Sequence, residues 1–300
     1  MYTRGDYTSP LFRAFLCTVL DSCSLLLDTC PMIALFAMLF LLFFLGLAIG
    51  SFLNVVIYRA VHNDSPARGR SYCDHCKKPI AWYDNIPLIS FLILKSRCRY
   101  CKKSIPWEYP AVEFLTGALF VWWYLVGFTF FQLSTQPLSL VQPLFWLMVG
   151  VLFVVICFAD LSYTIIPDSA VLLLSILAFV YRVLLVQQKI MTPFDFVASI
   201  VSGLGLALFF FLLIVLTKGK GMGFGDVKLA FPLGLIIGYP AIILATFLSF
   251  VIGAVVSLFL LALNKKKIKG SVPFGPFLIA GTVIALVWGE KILSWYMQYI

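Results

Sequence analysis

The sequence predicts an all-α polytopic membrane protein with about eight transmembrane helices and a small four-cysteine zinc loop. Three observations predict it. Of 300 residues, 62% are hydrophobic and only 12% are charged, too apolar a balance for a water-soluble fold. The apolar residues come in runs such as IALFAMLFLLFFLGLAIG and ILATFLSFVIGAVVSLFLLAL, near or above the length that crosses roughly 30 Å of hydrocarbon as a helix. Four of the eight cysteines form two C-x-x-C pairs in one interhelical segment. Backbone groups inside lipid must pair with one another, so each apolar run is expected as a helix.

The runs place spans near residues 33–57, 110–131, 144–159, 169–186, 196–217, 228–238, 241–263 and 276–297. The sixth is the shortest, because Tyr239-Pro240 ends it. A net charge of +9 raises the question of nucleic acid, but in a membrane protein Lys and Arg report orientation instead. They cluster between Arg59 and Lys103, in KGK at 218–220 and in KKKIK at 265–269. Eight alternating spans put all three clusters on one side, the cytosolic side by the positive-inside rule, and no nucleic-acid partner is expected beside the lipid bilayer. Residues 1–31 read as an N-terminal extension without a convincing cleavable signal peptide. The expected organisation is then a first transmembrane helix over 32–58, a cytosolic zinc-binding loop over 59–107 and a membrane domain over 108–300, with no internal repeat.

Cys73, Cys76, Cys98 and Cys101 stand as SYCDHC and SRCRYC, two knuckles separated by 21 residues. Each pair can grip a metal from one turn, and the intervening segment can fold back, which is the pattern of a tetrahedral four-thiolate zinc site. The alternatives are two disulfides or a redox pair, but the surrounding basic residues put the loop in the reducing cytosol, where disulfides are rare. His75, inside the first knuckle, reads as a bystander, and Cys17, Cys23, Cys30 and Cys157 read as apolar filler.

Beyond Glu113 the chain has five acidic residues: Asp160, Asp168, Asp195, Asp226 and Glu290. An ionisable group at a membrane helix is costly and needs a reason. Asp195 falls in an outer loop, Glu290 stands beside Lys291, and Asp168 precedes an apolar run as a natural helix N-cap. Asp160 ends the third span and Asp226, in GMGFGD, follows the fifth, so two crossings return the chain to the same face and make them a candidate pair. Two converging carboxylates cannot both ionise cheaply, so one can hold a proton while the other activates water. On spacing alone, Asp226 also reads as a helix cap or a proton-relay acid. The phosphate-loop order G-x-x-x-x-G-K-[ST] is absent.

From about Leu45 onward the chain resembles the bacterial type IV prepilin peptidases, bifunctional leader peptidases and N-methyltransferases. The resemblance rests on GSFLNVVIYR (50–59), the two knuckles with WYDNIPLISFLILKSRCRYC, IPWEYPAVEFLTG (105–117), ADLSYTIIPD (159–168) and GMGFGDVKL (221–229). It implies that Asp160 and Asp226 are a catalytic aspartate pair, that Asp168 is a structural neighbour and that a prepilin or pseudopilin is the substrate. It further implies a second, S-adenosylmethionine-dependent step, for which no residues are assigned. The implied location is the bacterial inner membrane, with the loop and both aspartates at its cytosolic face. Lys95-Ser96 departs from the glycine usual before the second knuckle. Asn54 and Arg59 end the first span on the same face, where they read as groups that orient the loop or the substrate or, for Arg59, as an ordinary positive-inside anchor. The competing readings are a transporter with a zinc-bound regulatory loop and a proton-relay aspartate pair, and a structural scaffold of a secretion apparatus.

Overall fold

Apolar runs with few polar interruptions form eight helices of 14 residues or more among the described residues. They are α1 (Cys30–Val61), α2 (Glu108–Trp122), α3 (Val141–Tyr163), α4 (Asp168–Gln187), α5 (Pro193–Leu216), α6 (Phe224–Ile237), α7 (Ala241–Ala262) and α8 (Gly275–Met297). The computed structural model describes residues 30–62, 64, 71–127, 138, 141–219, 222–263 and 273–298. Most of the expected N-terminal extension, Cys17, Cys23, Arg68, Arg70 and the KKKIK run lie outside them.

Over their described residues, which leave out 128–131 of the second expected span, all eight expected segments are helical, and seven of these helices are long and apolar enough to cross a membrane. The exception is α6, whose 14 residues rise about 21 Å. Its surroundings explain how so short a helix persists. It packs against α4, α5, α7 and α8, and Leu229, Ala230, Leu233 and Leu235 along it are fully buried. A short helix leaves its last carbonyls at hydrocarbon depth, where each needs a partner. Arg182 of α4 supplies it, donating from Nε to the Leu235 carbonyl at 2.7 Å and from Nη2 to the Ile236 carbonyl at 2.8 Å. An arginine inside a membrane bundle is thus a cap for the central helix, a role that sequence reading missed.

Three antiparallel pairs, α1 with α2, α5 with α6 and α7 with α8, make the most extensive contacts. Where α5 crosses α6, a Cβ at Gly234 would sit 2.3 Å from the Gly203 Cα, so the backbones meet because neither residue has a side chain. Large apolar side chains such as Phe40, Leu208, Phe247 and Leu258 face outward, as expected of a surface that meets lipid tails. The acids read as bland from sequence behave so in part. Asp195 shares a capping arrangement with Thr192, the N-cap of α5, whose Oγ1 accepts from the Asp195 N–H at 3.1 Å and donates to Oδ2 at 2.8 Å. Glu290 is exposed on α8.

Asp168 does not cap α4. Pro167 holds the N-cap position, and the Asp168 carboxylate instead receives Lys228 Nζ of α6 at 2.7 Å and 2.9 Å. Proline cannot continue a helix upstream, so it fixes the boundary one residue before the aspartate and frees the carboxylate for an exposed ion pair.

Candidate functional site

Asp160 lies one turn before the end of α3 and Asp226 in the first turn of α6; each is only 6% exposed. α6 starts at Phe224, earlier than the apolar run suggests, so Asp226 belongs to the helix and not to a turn before it. It does not cap that helix either. Gly223 is the N-cap, and the Asp226 carboxylate turns inward, where Oδ1 is buried with no hydrogen-bond partner. Asp160 Oδ2 accepts the backbone N–H of Gly275, the first residue of α8, at 2.9 Å. Asp160 thus meets the N-terminus of α8, Asp226 lies in the first turn of α6, and the N-termini of both helices border Ile166.

Two glycines shape this niche. A Cβ on Gly275 would stand 2.7 Å from Asp160 Oδ2 and 3.4 Å from Ile166 Cδ1, and one on Gly225 would stand 3.1 Å from Ile166 Cβ. Ile166, from the I-I-P-D segment, is therefore wedged between the N-termini of α6 and α8. A Cβ on Gly223 would meet nothing nearer than Asp226 Oδ2 at 3.8 Å, and its φ of −81° suits any residue. Gly275 went unread in the sequence, where FGPF looks like a plain helix start.

The knuckles close on one another. The sulfurs of Cys73, Cys76, Cys98 and Cys101 all lie within 4.8 Å, and Cys73 Sγ is 3.8 Å from Cys101 Sγ. A tetrahedron of zinc–sulfur bonds of about 2.3 Å has sulfur–sulfur edges of about 3.8 Å, so the donor set fits zinc. His75 is exposed and outside the cluster, and Cys157 is half-buried against the helical core. The two knuckles are copies in backbone terms. Cys73 and Cys98 donate their N–H to the carbonyls of Lys78 and Lys103, Lys77 and Lys102 donate back, and both lysines have positive φ, 56° and 59°. C-K-K-P-I and C-K-K-S-I are the matching signature, a short internal repeat that the expectation of none overlooked. Burial opposes ionisation of Cys98, but the backbone N–H groups of Cys101 and Tyr100 outweigh it and bring that thiol down to about 7.

The loop is fastened to the helices by side chains the resemblance motifs contain. Arg99 Nε and Nη2 grip both oxygens of Asp84 at 2.7 Å and 2.6 Å, tying WYDN to the second knuckle. Glu113 Oε2 of α2 accepts the Leu88 N–H at 2.8 Å, and Asn54 Nδ2 of α1 donates to the Tyr109 carbonyl at 3.0 Å. Arg59 is 6% exposed, so it is no snorkelling surface anchor; the loop folds back over the end of α1 and covers it.

Comparison with known proteins identifies relatives of this chain. Residues 44–126 match the bacterial peptidase A24 N-terminal domain, and residues 146–258 match the type IV leader peptidase family. A prepilin leader peptidase/N-methyltransferase of Legionella pneumophila is 30% identical over 281 residues, covering 85% of this chain and 92% of its own. One of Aeromonas hydrophila is 34% identical over 303 residues, covering 86% and 93%. One of Bacillus subtilis is 28% identical over 262 residues, covering 87% and 98%. No solved structure matches. With both aspartates inside the segment that matches the type IV leader peptidase family and relatives aligned over nearly their whole length, this chain belongs to that family.

Proposed function

We propose that the protein cleaves the basic leader from prepilins or pseudopilins at the cytosolic face of the bacterial inner membrane, then N-methylates the newly exposed N-terminal residue. The observation that carries the reading is the niche itself: two buried aspartates from α3 and α6, one with an oxygen left without a partner. An unpaired buried carboxylate oxygen is costly in a purely structural role and suits a group that meets water or substrate. One aspartate takes a proton from water, which attacks the carbonyl of the leader's last residue. The other hydrogen-bonds the carbonyl oxygen and protonates the departing amine, so no acyl-enzyme forms. The orientation is supported by Lys77, Lys78, Lys95, Arg97, Arg99, Lys102 and Lys103, all in the loop that joins α1 to α2. A substrate with a basic leader and an apolar helix in the bilayer would present its cleavage point at that boundary.

Cys73, Cys76, Cys98 and Cys101 would hold a zinc ion whose contribution is structural, because four thiolates leave no open position for water. Cys73→Ser and Cys98→Ser are expected to lose the metal, read by elemental analysis of the purified protein; a retained stoichiometric ion would overturn the four-thiolate site. The methyl donor supplies an electrophilic methyl group on a sulfonium. Mixing the purified protein with a prepilin should remove the leader mass, and adding S-adenosylmethionine should then add ~14 Da, the net gain of one methylation. An uncleaved prepilin would sink the reading.

The glycines separate two effects. Gly225→Ala drives a methyl into Ile166 and is expected to slow cleavage about 10-fold by shifting Asp226. Gly223→Ala fits the backbone without strain, so its thermal midpoint should match the wild type, while cleavage falls only if substrate backbone passes that face.

A further inference from the structure

Between its two knuckles the zinc loop presents large apolar side chains on its outside. Trp82 opens the 3-10 helix Trp82–Asn85, and Leu92 and Ile93, 73% and 71% exposed, end the short helix Ile89–Ile93. Ile86, Ile89 and Trp107 are exposed with them. A cluster of this kind on a loop that bathed wholly in water would be a liability.

Its level in the bundle gives it a surrounding. Glu113, whose Oε2 accepts the Leu88 N–H at 2.8 Å, is the sixth residue of α2, and the next two, Phe114 and Leu115, are exposed apolar side chains. On α1 the residue packed against Glu113 is Gly50, where a Cβ would stand 2.7 Å from the Glu113 Cα. Arg59, the first basic residue of α1, follows nine residues later, about 13 Å along the helix. The short helix is therefore anchored well inside the level at which the apolar run of α1 gives way to charge. Phe91 also stacks on Trp107, ring centroids 6.2 Å apart, which fixes the segment at the entry to α2.

Charge follows the same division. Residues 71–107 hold seven Lys and Arg against two Asp, and one of these, Asp84, is gripped by Arg99. Lys95 and Arg97, just after the apolar segment, are exposed. Aliphatic tips, tryptophans beside them and cations behind suit a surface that enters the headgroup region of a bilayer and favours anionic lipid. A protein partner would select against exposed lysines.

We propose that residues 86–94 dip into the leaflet nearest the zinc loop, with Leu92 and Ile93 among acyl chains and Lys95 and Arg97 against anionic phospholipid headgroups. The loop then rests on lipid as well as on α1 and α2, which holds the knuckles at a fixed height beside the helix ends. Nothing in this depends on the cleavage chemistry.

The test places the photoreactive residue p-benzoylphenylalanine in the full-length, zinc-loaded protein, in place of Leu92 or, as a control, of His75. His75 is exposed on the first knuckle next to Asp74, which Tyr109 at the start of α2 holds at 2.9 Å. The vesicles contain phosphatidylcholine and phosphatidylglycerol in equal amounts, and zinc content equal to wild type verifies the fold. Irradiation is expected to add the mass of a phospholipid at position 92 and not at position 75, with phosphatidylglycerol over-represented about 3-fold among the adducts. Lys95→Gln with Arg97→Gln should return the adducts to the bulk ratio. A crosslinked dimer in place of the lipid adduct would make this face an interface between copies, and an unmodified chain would put it in water; either overturns the proposal. Equal lipid labelling at position 75 would overturn the insertion of this particular segment, and adducts at the bulk ratio before the charges are removed would overturn the headgroup contact.

Discussion

Asp160→Asn and Asp226→Asn are each expected to lower prepilin cleavage by about 10³-fold or more, with the protein still folded in the membrane. An amide has nearly the shape of the carboxylate but can neither take a proton from water nor give one to the leaving amine, and a positioned proton-transfer group accounts for about 10²–10⁴ in rate. The local contacts predict that folding survives. Asparagine at 160 can still present an oxygen to the Gly275 N–H, which now sits 2.9 Å from Asp160 Oδ2. Position 226 has a buried oxygen with no partner to lose, so removing its charge should not lower the thermal midpoint in detergent. Mass-spectrometric detection of leader release at equal protein and zinc content decides the matter. Wild-type cleavage by either variant would break the pairing.

Gly275→Ala is expected to cost about 100-fold in kcat with little change in KM. The added methyl would stand 2.7 Å from Asp160 Oδ2, inside van der Waals contact, so the carboxylate must swing away and give up the N–H that orients it. A displacement on the order of 1 Å at a reacting group is enough for a loss of that size. Gly275 acts through the aspartate it touches, so substrate affinity should be spared, and a fall in KM-related binding alone would contradict the positioning role. Cleavage within about 3-fold of wild type would show that the Gly275 contact does not hold the carboxylate in its working position.

Much of this architecture is legible in the residues. Lipid leaves the backbone few choices, so each apolar run announces a helix, and seven of the eight meet the length and composition for a span. The thiolates are equally plain, because two C-x-x-C pairs carry their own geometry and the four sulfurs do converge. Asp160 and Asp226 could be paired from chain parity, since an even number of crossings returns to the same face. What escaped the reading are groups whose partners lie far along the chain. Arg182 reaches carbonyls 53 and 54 residues away, Gly275 meets Asp160 across 115 residues, and Asp168 finds Lys228 across 60. No local pattern marks these contacts, because each depends on which helix faces which.

The sequence by itself determined the membrane class, the helical segments and the four-cysteine cluster, and nominated two aspartates as a candidate pair, since hydrophobicity, ligand spacing and crossing parity are local or countable properties. Only the tertiary structure decided that α6 is a short central helix capped by Arg182, that Gly275 holds Asp160, that Arg59 is covered, and that exposed apolar side chains of the zinc loop stand beside the first turns of α2. Those features come from side chains meeting across the bundle, where close packing and the need to satisfy every buried polar group select one arrangement among the many that the apolar pattern alone allows.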